Sequence, residues 1–266
     1  MIFRTPSYYN KFKCLADKCS DNCCIGWEID IDAVTLKKYM NINGAFGNRL
    51  KQNISEGSFI LNEKERCPFL NNRNLCDIYT ELGEDNLCQI CTDHPRFYEW
   101  FGSIKEGGIG LCCEAAASLI MSEDFSLTES IIPEDESDFS DELLFNFLHD
   151  ARQVIIQHLH NDPDFADSIG CLICFAEELQ FRIDNDDYTI PEWENTAVSC
   201  CPDIKSILNI FTELEPMDEG WIPYIHNSMK FADCFKGYKK QNEIYLRRIA
   251  VYFIYRYFLK GVFDGE

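Results

Sequence analysis

Apolar and polar residues alternate from Trp27 to Asp32, with Ile29 and Ile31 on one side and Glu28 and Asp30 on the other. A period of two predicts a short, half-buried strand. Asp32 then stands where a helix N-cap belongs, ahead of Thr35, Leu36, Tyr39 and Met40 at helical spacing. Asn43-Gly44 is expected to stop that helix. Phe59-Ile60-Leu61 and Phe69-Leu70 are short enough to be strands, and Asp77-Ile78-Tyr79 either pairs with them or opens a helical turn. Cys88–Pro95 reads as an irregular loop, because a residue before proline is biased away from helix. Gly107-Gly108-Ile109-Gly110 reads as a flexible turn. It lacks the Gly-Lys-Ser/Thr that would hold phosphate and magnesium. A helix is predicted to start near Cys113-Glu114 and to carry Ala115, Ala116, Ala117, Leu119 and Ile120.

From residue 143 the period changes to that of helices. Leu143, Leu144, Phe147, Leu148, Ala151, Val154, Ile155 and Leu159 recur on one face. Further helices are predicted over 165–181, 204–214, 228–238 and 244–259. The last is apolar nearly all round, so it must be covered on every side, by its own bundle or by something else. Between the two halves, nine of the twenty residues 123–142 are Asp or Glu and none is Lys or Arg. Such a run repels itself and predicts a solvated linker. The expected organisation is a domain over 1–122, a linker over 123–142 and a helical domain over 143–266. The expected fold is mainly α, with a small β- and loop-rich, cysteine-stapled N-terminal region and a C-terminal helical bundle.

Charge narrows the partners. The formal net charge is −21, which argues against nucleic acid and against anionic membrane surfaces, since both need clustered Lys and Arg. It suits a lysine-bearing protein substrate, or simply solubility. The N-terminus shows no basic segment followed by an apolar one, as a secretion signal would. No run approaches the roughly 18 apolar residues of a membrane span. A cytoplasmic location, where thiols stay reduced, is expected.

The cysteines change the picture most. Ten of the fifteen lie in the first 113 residues. They are Cys14, Cys19, Cys23, Cys24, Cys67, Cys76, Cys88, Cys91, Cys112 and Cys113. An odd total and three adjacent pairs fit free or metal-bound thiols better than disulfides. Thiolates bind zinc, copper(I) and iron–sulfur clusters, and short loops bring two sulfurs to one metal at little entropic cost. Cys171, Cys174, Cys200, Cys201 and Cys234 fit buried, inert thiols better. The radical triad Cys-x3-Cys-x2-Cys is missing, because Gly26 stands at its third position.

The run Cys14-x4-Cys19-x3-Cys23-Cys24-x2-Trp27 is followed by Cys67-Pro68-Phe69-Leu70 and Cys76-Asp77-Ile78-Tyr79. Then come Cys91-x2-His94-Pro95-Arg96-Phe97 and Cys113-Glu114-Ala115-Ala116. This set resembles the flagellin lysine-N-methylase (FliB) family and its CxxCxxCC-type zinc- or iron-chelating region. The later Tyr255-Arg256-Tyr257-Phe258-Leu259-Lys260 also looks like a family feature. The resemblance implies S-adenosylmethionine-dependent methylation of lysines on flagellin by a protein carrying a [4Fe-4S] cluster, with zinc as the alternative metal. It places the metal ligands among Cys14, Cys19, Cys23, Cys24, Cys67, Cys76, Cys91 and Cys113. Cys88 and Cys112 are extras. Family members continue in helical sequence past the point where this chain stops, and nothing here matches the Gly-rich turn of Rossmann methyltransferases.

Lysine methylation needs a neutral amine, an in-line methyl donor and exclusion of water. Tyr79, His94 and Glu114 are candidates for handling the proton, against bland readings as core ring, loop residue and first-turn carboxylate. Arg96 could pair with a donor carboxylate. Trp27 is expected to pack in the core over the cluster. The competing reading is a non-enzymatic iron- or zinc-chelating or interaction module.

Overall fold

The computed structural model describes residues 1–20, 22–133, 141–194, 204–216, 219–231 and 242–264. The fold is mainly helical, and the chain divides into two compact units, Met1–Phe139 and Ser140–Glu266.

The first unit opens with strand β1 (Ile2–Pro6) and two short 3-10 turns. Helix α1 (Ala33–Asn41) comes next, with the Asp32 carboxylate accepting the Thr35 N–H at 2.9 Å as the N-cap. Asn43-Gly44 does end α1, but Gly44 also begins helix α2 (Gly44–Gln52), which the sequence pattern did not suggest. A small hairpin joins β2 (Ile54–Ser55) to β3 (Ser58–Phe59). The alternation at 27–32 is real, since Ile29 and Ile31 are buried and Asp30 is exposed. It makes no full strand, only a single bridge from Asp30 to Ser58.

Helices α3 (Asp77–Leu82) and α4 (Gln89–Asp93) come next. The second corrects the loop expected at Cys88–Pro95. Proline's bias holds, because α4 stops at Asp93. Strands β4 (Arg96–Phe101) and β5 (Ile104–Ile109) then form a hairpin, succeeded by α5 (Glu114–Ser122) and β6 (Leu127–Ile131).

The sheet order is β4-β5-β1-β6. The chain's first strand is therefore internal. It runs parallel to β5 (Ile2 beside Ile104) and antiparallel to β6 (Ile2 beside Ile131). Arg4 crosses this register to pair with the buried Glu106 at 3.4 Å and with Glu129 at 2.8 Å. Two expectations fail here. Gly107 and Gly108 lie inside a strand, not in a turn. A Cβ on Gly107 would come within 2.8 Å of the Phe3 ring, and one on Gly108 within 2.3 Å of the Phe97 ring. Aromatic packing, not chain reversal, demands them. Part of the expected linker, Leu127–Ile131, is an edge strand, because its acidic Glu129 is neutralised by Arg4.

A separate apolar cluster joins the helices of this unit. It contains Ile29, Ile31, Tyr39, Leu50, Phe59, Phe69, Leu70 and Ile78, and Cys67 and Cys88 are part of it. Arg49 lies 5.0 Å from the Phe69 ring and pairs with Asp77 at 2.7 Å, closing one side of the cluster.

In the second unit, α6 (Glu142–Asn161) buries Leu144, Phe147, Leu148, Ala151, Ile155 and Leu159, as its period predicts, while Val154 is half-buried and Leu143, expected with them, is exposed. Helices α7 (Phe165–Asp184), α8 (Ile204–Glu213) and α9 (Trp221–Met229) succeed it. The helix expected over 228–238 is displaced: α9 ends at Met229, and residues 232–241 lie outside the described residues. Helix α10 (Glu243–Tyr257) and the short α11 (Gly261–Asp264) complete the unit. Helix α10 buries Arg247, Val251, Tyr252 and Tyr255, while Ile244, Tyr245, Phe253 and Tyr257 are exposed. It is not covered all round within its own unit's described residues. No described helix is long and apolar enough to cross a membrane.

Candidate thiol-lined site

Loops between these elements carry the thiols to one place. The N–H of Cys67 donates to the carbonyl of Cys24 at 2.8 Å, and Ile25 bridges to Arg66. These contacts bind the 14–27 segment to the Cys67 loop. Leu70 bridges to Cys76, closing that loop on itself. Cys76 is the N-cap of α3, Cys88 of α4 and Cys113 of α5. First-turn amides favour thiolate at Cys76 (Ile78, Tyr79) and at Cys113 (Ala115, Ala116).

The result is a cavity of about 560 Å³. Cys14, Cys19, Cys23, Cys24, Cys76, Cys91, Cys112 and Cys113 line it. Cys67 and Cys88 are buried in the apolar cluster beside it. The Cys88 and Cys91 sulfurs are 3.4 Å apart. No disulfide engages any of the twelve described cysteines. Cys171 is buried and Cys174 half-buried on α7 in the second unit, while Cys200, Cys201 and Cys234 lie outside the described residues.

The electrostatics arise from crowding. Cys24 is pushed strongly up, first by its hydrogen bond with Cys23 and then by burial and the charges of Cys67 and Cys76. Cys91 is pushed strongly up by its hydrogen bond with Cys88, then by burial and neighbouring thiols. That bond in turn holds Cys88 below the usual thiol value. Burial pushes the Cys67 thiol up to about 11 and raises Cys76 and Cys113 as well. Opposing this, the amides of Phe69 and Leu70 favour thiolate at Cys67, and those of Ile78 and Tyr79 favour it at Cys76. A metal would have to displace protons here, and the amides would then stabilise the thiolates. The donor set is right in kind for zinc or an iron–sulfur cluster. Among the described residues, no three His, Cys, Asp or Glu side chains already converge closely enough to hold an ion.

The other candidates fall unevenly. Tyr79, His94 and Arg96 all line the cavity. Burial lowers His94, so its imidazole is neutral at pH 7. Tyr79 is half exposed, not a core ring. The Arg96 guanidinium lies 5.1 Å from the Phe12 ring and 5.8 Å from the Tyr9 ring. Glu114 does not line the cavity. Its carboxylate accepts both the N–H and the hydroxyl of Ser20 at 2.8 Å, which holds it below the usual carboxylate range and ties the Cys19 loop to α5. Trp27 is not core packing either. It is 41% exposed, lines the cavity and stands 5.3 Å from the His94 ring. Its indole N–H donates to the Cys23 carbonyl. Gly26 just before it, at φ +90°, was the available signal that this segment turns out of the core. Phe12 joins the wall without any local pattern to announce it.

Comparison with known proteins places this chain. It is 27% identical over 132 residues to the flagellar biosynthetic protein FliU of Salmonella muenchen, across 44% of this chain and 76% of that protein. Lysine-N-methylases of Salmonella typhimurium and Salmonella choleraesuis are each 26% identical over 132 residues, across 44% of this chain. The matched stretch spans only 32% of each lysine-N-methylase. No family model matches the chain, and no solved structure matches it. By these matches part of the chain is similar to FliU and to proteins named lysine-N-methylase, the kind of protein that the motifs of its first half resemble.

Proposed function

We propose that the chain serves S-adenosylmethionine-dependent N-methylation of lysines on flagellin, in the cytoplasm, with thiols of its N-terminal unit holding a [4Fe-4S] cluster. The observation that carries this reading is one cavity walled by eight thiols and by Tyr79, His94, Arg96 and Trp27, in a relative of named lysine-N-methylases. When bound, a cluster with an open iron would supply a site for the amino and carboxylate groups of the methyl donor. Ligands come from Cys14, Cys19, Cys23, Cys24, Cys67, Cys76, Cys91 and Cys113.

The protein's own groups have definite tasks. The net charge of −21 draws a lysine-rich surface. Trp27 offers a ring face to an ammonium or sulfonium. Arg96 presents a cation to a carboxylate. His94, held neutral by burial, is the acceptor for the lysine proton. The reference lysine pKa is about 10.4, so the amine must also be desolvated, and an apolar cavity wall lowers it in that direction.

The test is mass spectrometry of flagellin incubated with the iron-reconstituted protein and S-adenosylmethionine. Methyl additions on lysine are expected, and His94→Gln should lower their rate without lowering iron content. Iron binding with no methylation would leave a chelating module in place of an enzyme.

A further inference from the structure

Strand β6 is one edge of the four-stranded sheet. In an antiparallel ladder, opposed residues alternate between pairs that exchange two hydrogen bonds and pairs that exchange none. Met1 and Ile132 exchange both, at 3.2 and 3.0 Å, and the Ser7 N–H donates to the Ser126 carbonyl at 2.8 Å. Between these ends the bonded members of β6 are therefore Ser130 and Thr128, opposite Phe3 and Thr5. The Ile2 N–H points the other way and donates to the Ser103 carbonyl at 2.8 Å. Leu127, Glu129 and Ile131 consequently turn their main-chain groups away from β1, and there they meet no main-chain partner among the described residues.

Edge strands are ordinarily blunted by lysine, proline or a bulge. None of these interrupts Leu127–Ile131. Its one charge, Glu129, is held by Arg4 at 2.8 Å, and Ile131 at its end is 82% exposed. Charge decides between two occupants. Residues 123–133 include Glu123, Asp124 and Glu129 and no Lys or Arg, in a chain of net charge −21. A second copy laid antiparallel on β6 would set this acidic stretch against itself. A strand bearing lysines meets opposite charge. The flank already takes one lysine, because Glu123 holds the Lys11 ammonium at 2.7 Å. That pair is exposed, so another cation can exchange with it at little cost.

We infer that the outer edge of β6 docks an extended, lysine-bearing strand of a protein partner, which joins the sheet as a fifth strand. Main-chain groups of Leu127, Glu129 and Ile131 supply the hydrogen bonds, and Ile131 supplies a side-chain contact. The edge ends near the cavity. Lys11 and Glu123 lie at its Leu127 end, and Phe12, the residue after Lys11, is part of the cavity wall. Helix α5, which leads into β6, contributes Ala115 to the same wall. A docked strand that continues past Leu127 runs beside the Lys11–Glu123 pair and carries its next lysines toward the cavity.

The inference rests on the proposed methylation only for the fate of the docked lysine. The test is fluorescence anisotropy of a labelled peptide of alternating lysine and valine, titrated with the full chain at low salt and without S-adenosylmethionine. Saturable binding is expected. A glutamate–valine peptide should not bind, nor should a lysine–valine peptide whose backbone amides are all methylated, since it cannot pair. Ile131→Pro removes an outward donor and leaves the bonds to β1 in place, so it should weaken binding by about tenfold. Far-UV circular dichroism checks its fold. Should it unfold, Ile131→Lys keeps the backbone donor, sets a cation on the edge and should weaken binding likewise. Equal binding of the methylated-amide peptide, or unchanged affinity in the folded variants, overturns the docking edge. A dimer in sedimentation that Ile131→Lys dissolves gives the edge to a second copy and overturns it too. Peptide binding without methyl transfer to flagellin keeps the edge and overturns the methylation reading. Flagellin methylation by a chain that binds no peptide does the reverse.

Discussion

Replacing Asp32 by alanine removes two hydrogen bonds that start two different helices. One carboxylate oxygen accepts the Thr35 N–H and the other the Gln89 N–H, each at 2.9 Å. The first caps α1. The second satisfies a first-turn amide of α4, the helix that comes after Cys88 and carries Cys91. Burial pushes the Asp32 carboxyl up, but the two amides outweigh it and hold it below the ordinary value of 3.8. A lost N-cap costs about 1 kcal/mol, and a hydrogen bond to a charged group is worth about 2. Asp32→Ala should therefore destabilise the first unit by about 3 kcal/mol. Asp32→Asn should fall between, because it keeps an acceptor for Thr35 but turns a donor toward Gln89. The assay is urea unfolding of the full chain tracked by tryptophan fluorescence, with a transition for each unit resolved where they separate. The sign of the pH effect is fixed. A depressed carboxyl pKa contributes stability that is whole above the unfolded value of about 4 and is lost as pH falls through the folded value. Asp32→Ala should flatten that part of the acid-unfolding curve. A loss under about 0.5 kcal/mol would refute the double-capping account, since either bond alone should exceed it.

Packing sets two more expected outcomes. Gly108→Ala places a methyl group 2.3 Å from the Phe97 ring and should lower stability by about 1–3 kcal/mol in a thermal melt, as overpacking does. In the second unit, Arg247 donates to the carbonyls of Leu159 at 2.6 Å and Asp162 at 2.7 Å, at the C-terminus of α6. Arg247→Met should cost about 2–3 kcal/mol by stranding them. It should also raise amide exchange in the last turn of α6.

The legible parts of the fold were those whose signals are local. Asp32, α5 and the long periods of α6 and α7 read correctly because cap chemistry and amphipathic spacing are properties of adjacent residues. The sheet did not read, because its logic is long-range. Gly107-Gly108 looks like a turn until Phe3 and Phe97 are known to lie against it. The acidic run hides β6 because its neutralising partner, Arg4, is 125 residues away. At the site, the number and spacing of thiols pointed to a shared location, and eight of them do line one cavity. That Glu114 serves as a tether and Trp27 as a wall could not be read, since both depend on Ser20 and His94 coming from other segments.

Strand β1 is synthesised well before its partners, which begin at Ile104 and Leu127. At roughly 5–20 residues per second, it waits about 6–25 seconds for the second of them. Every thiol loop of the unit is synthesised within that interval, before the sheet can close. During translation the nascent segment thus carries its cysteines on an unfinished scaffold, and the order of synthesis itself sets how long they stay outside a closed sheet.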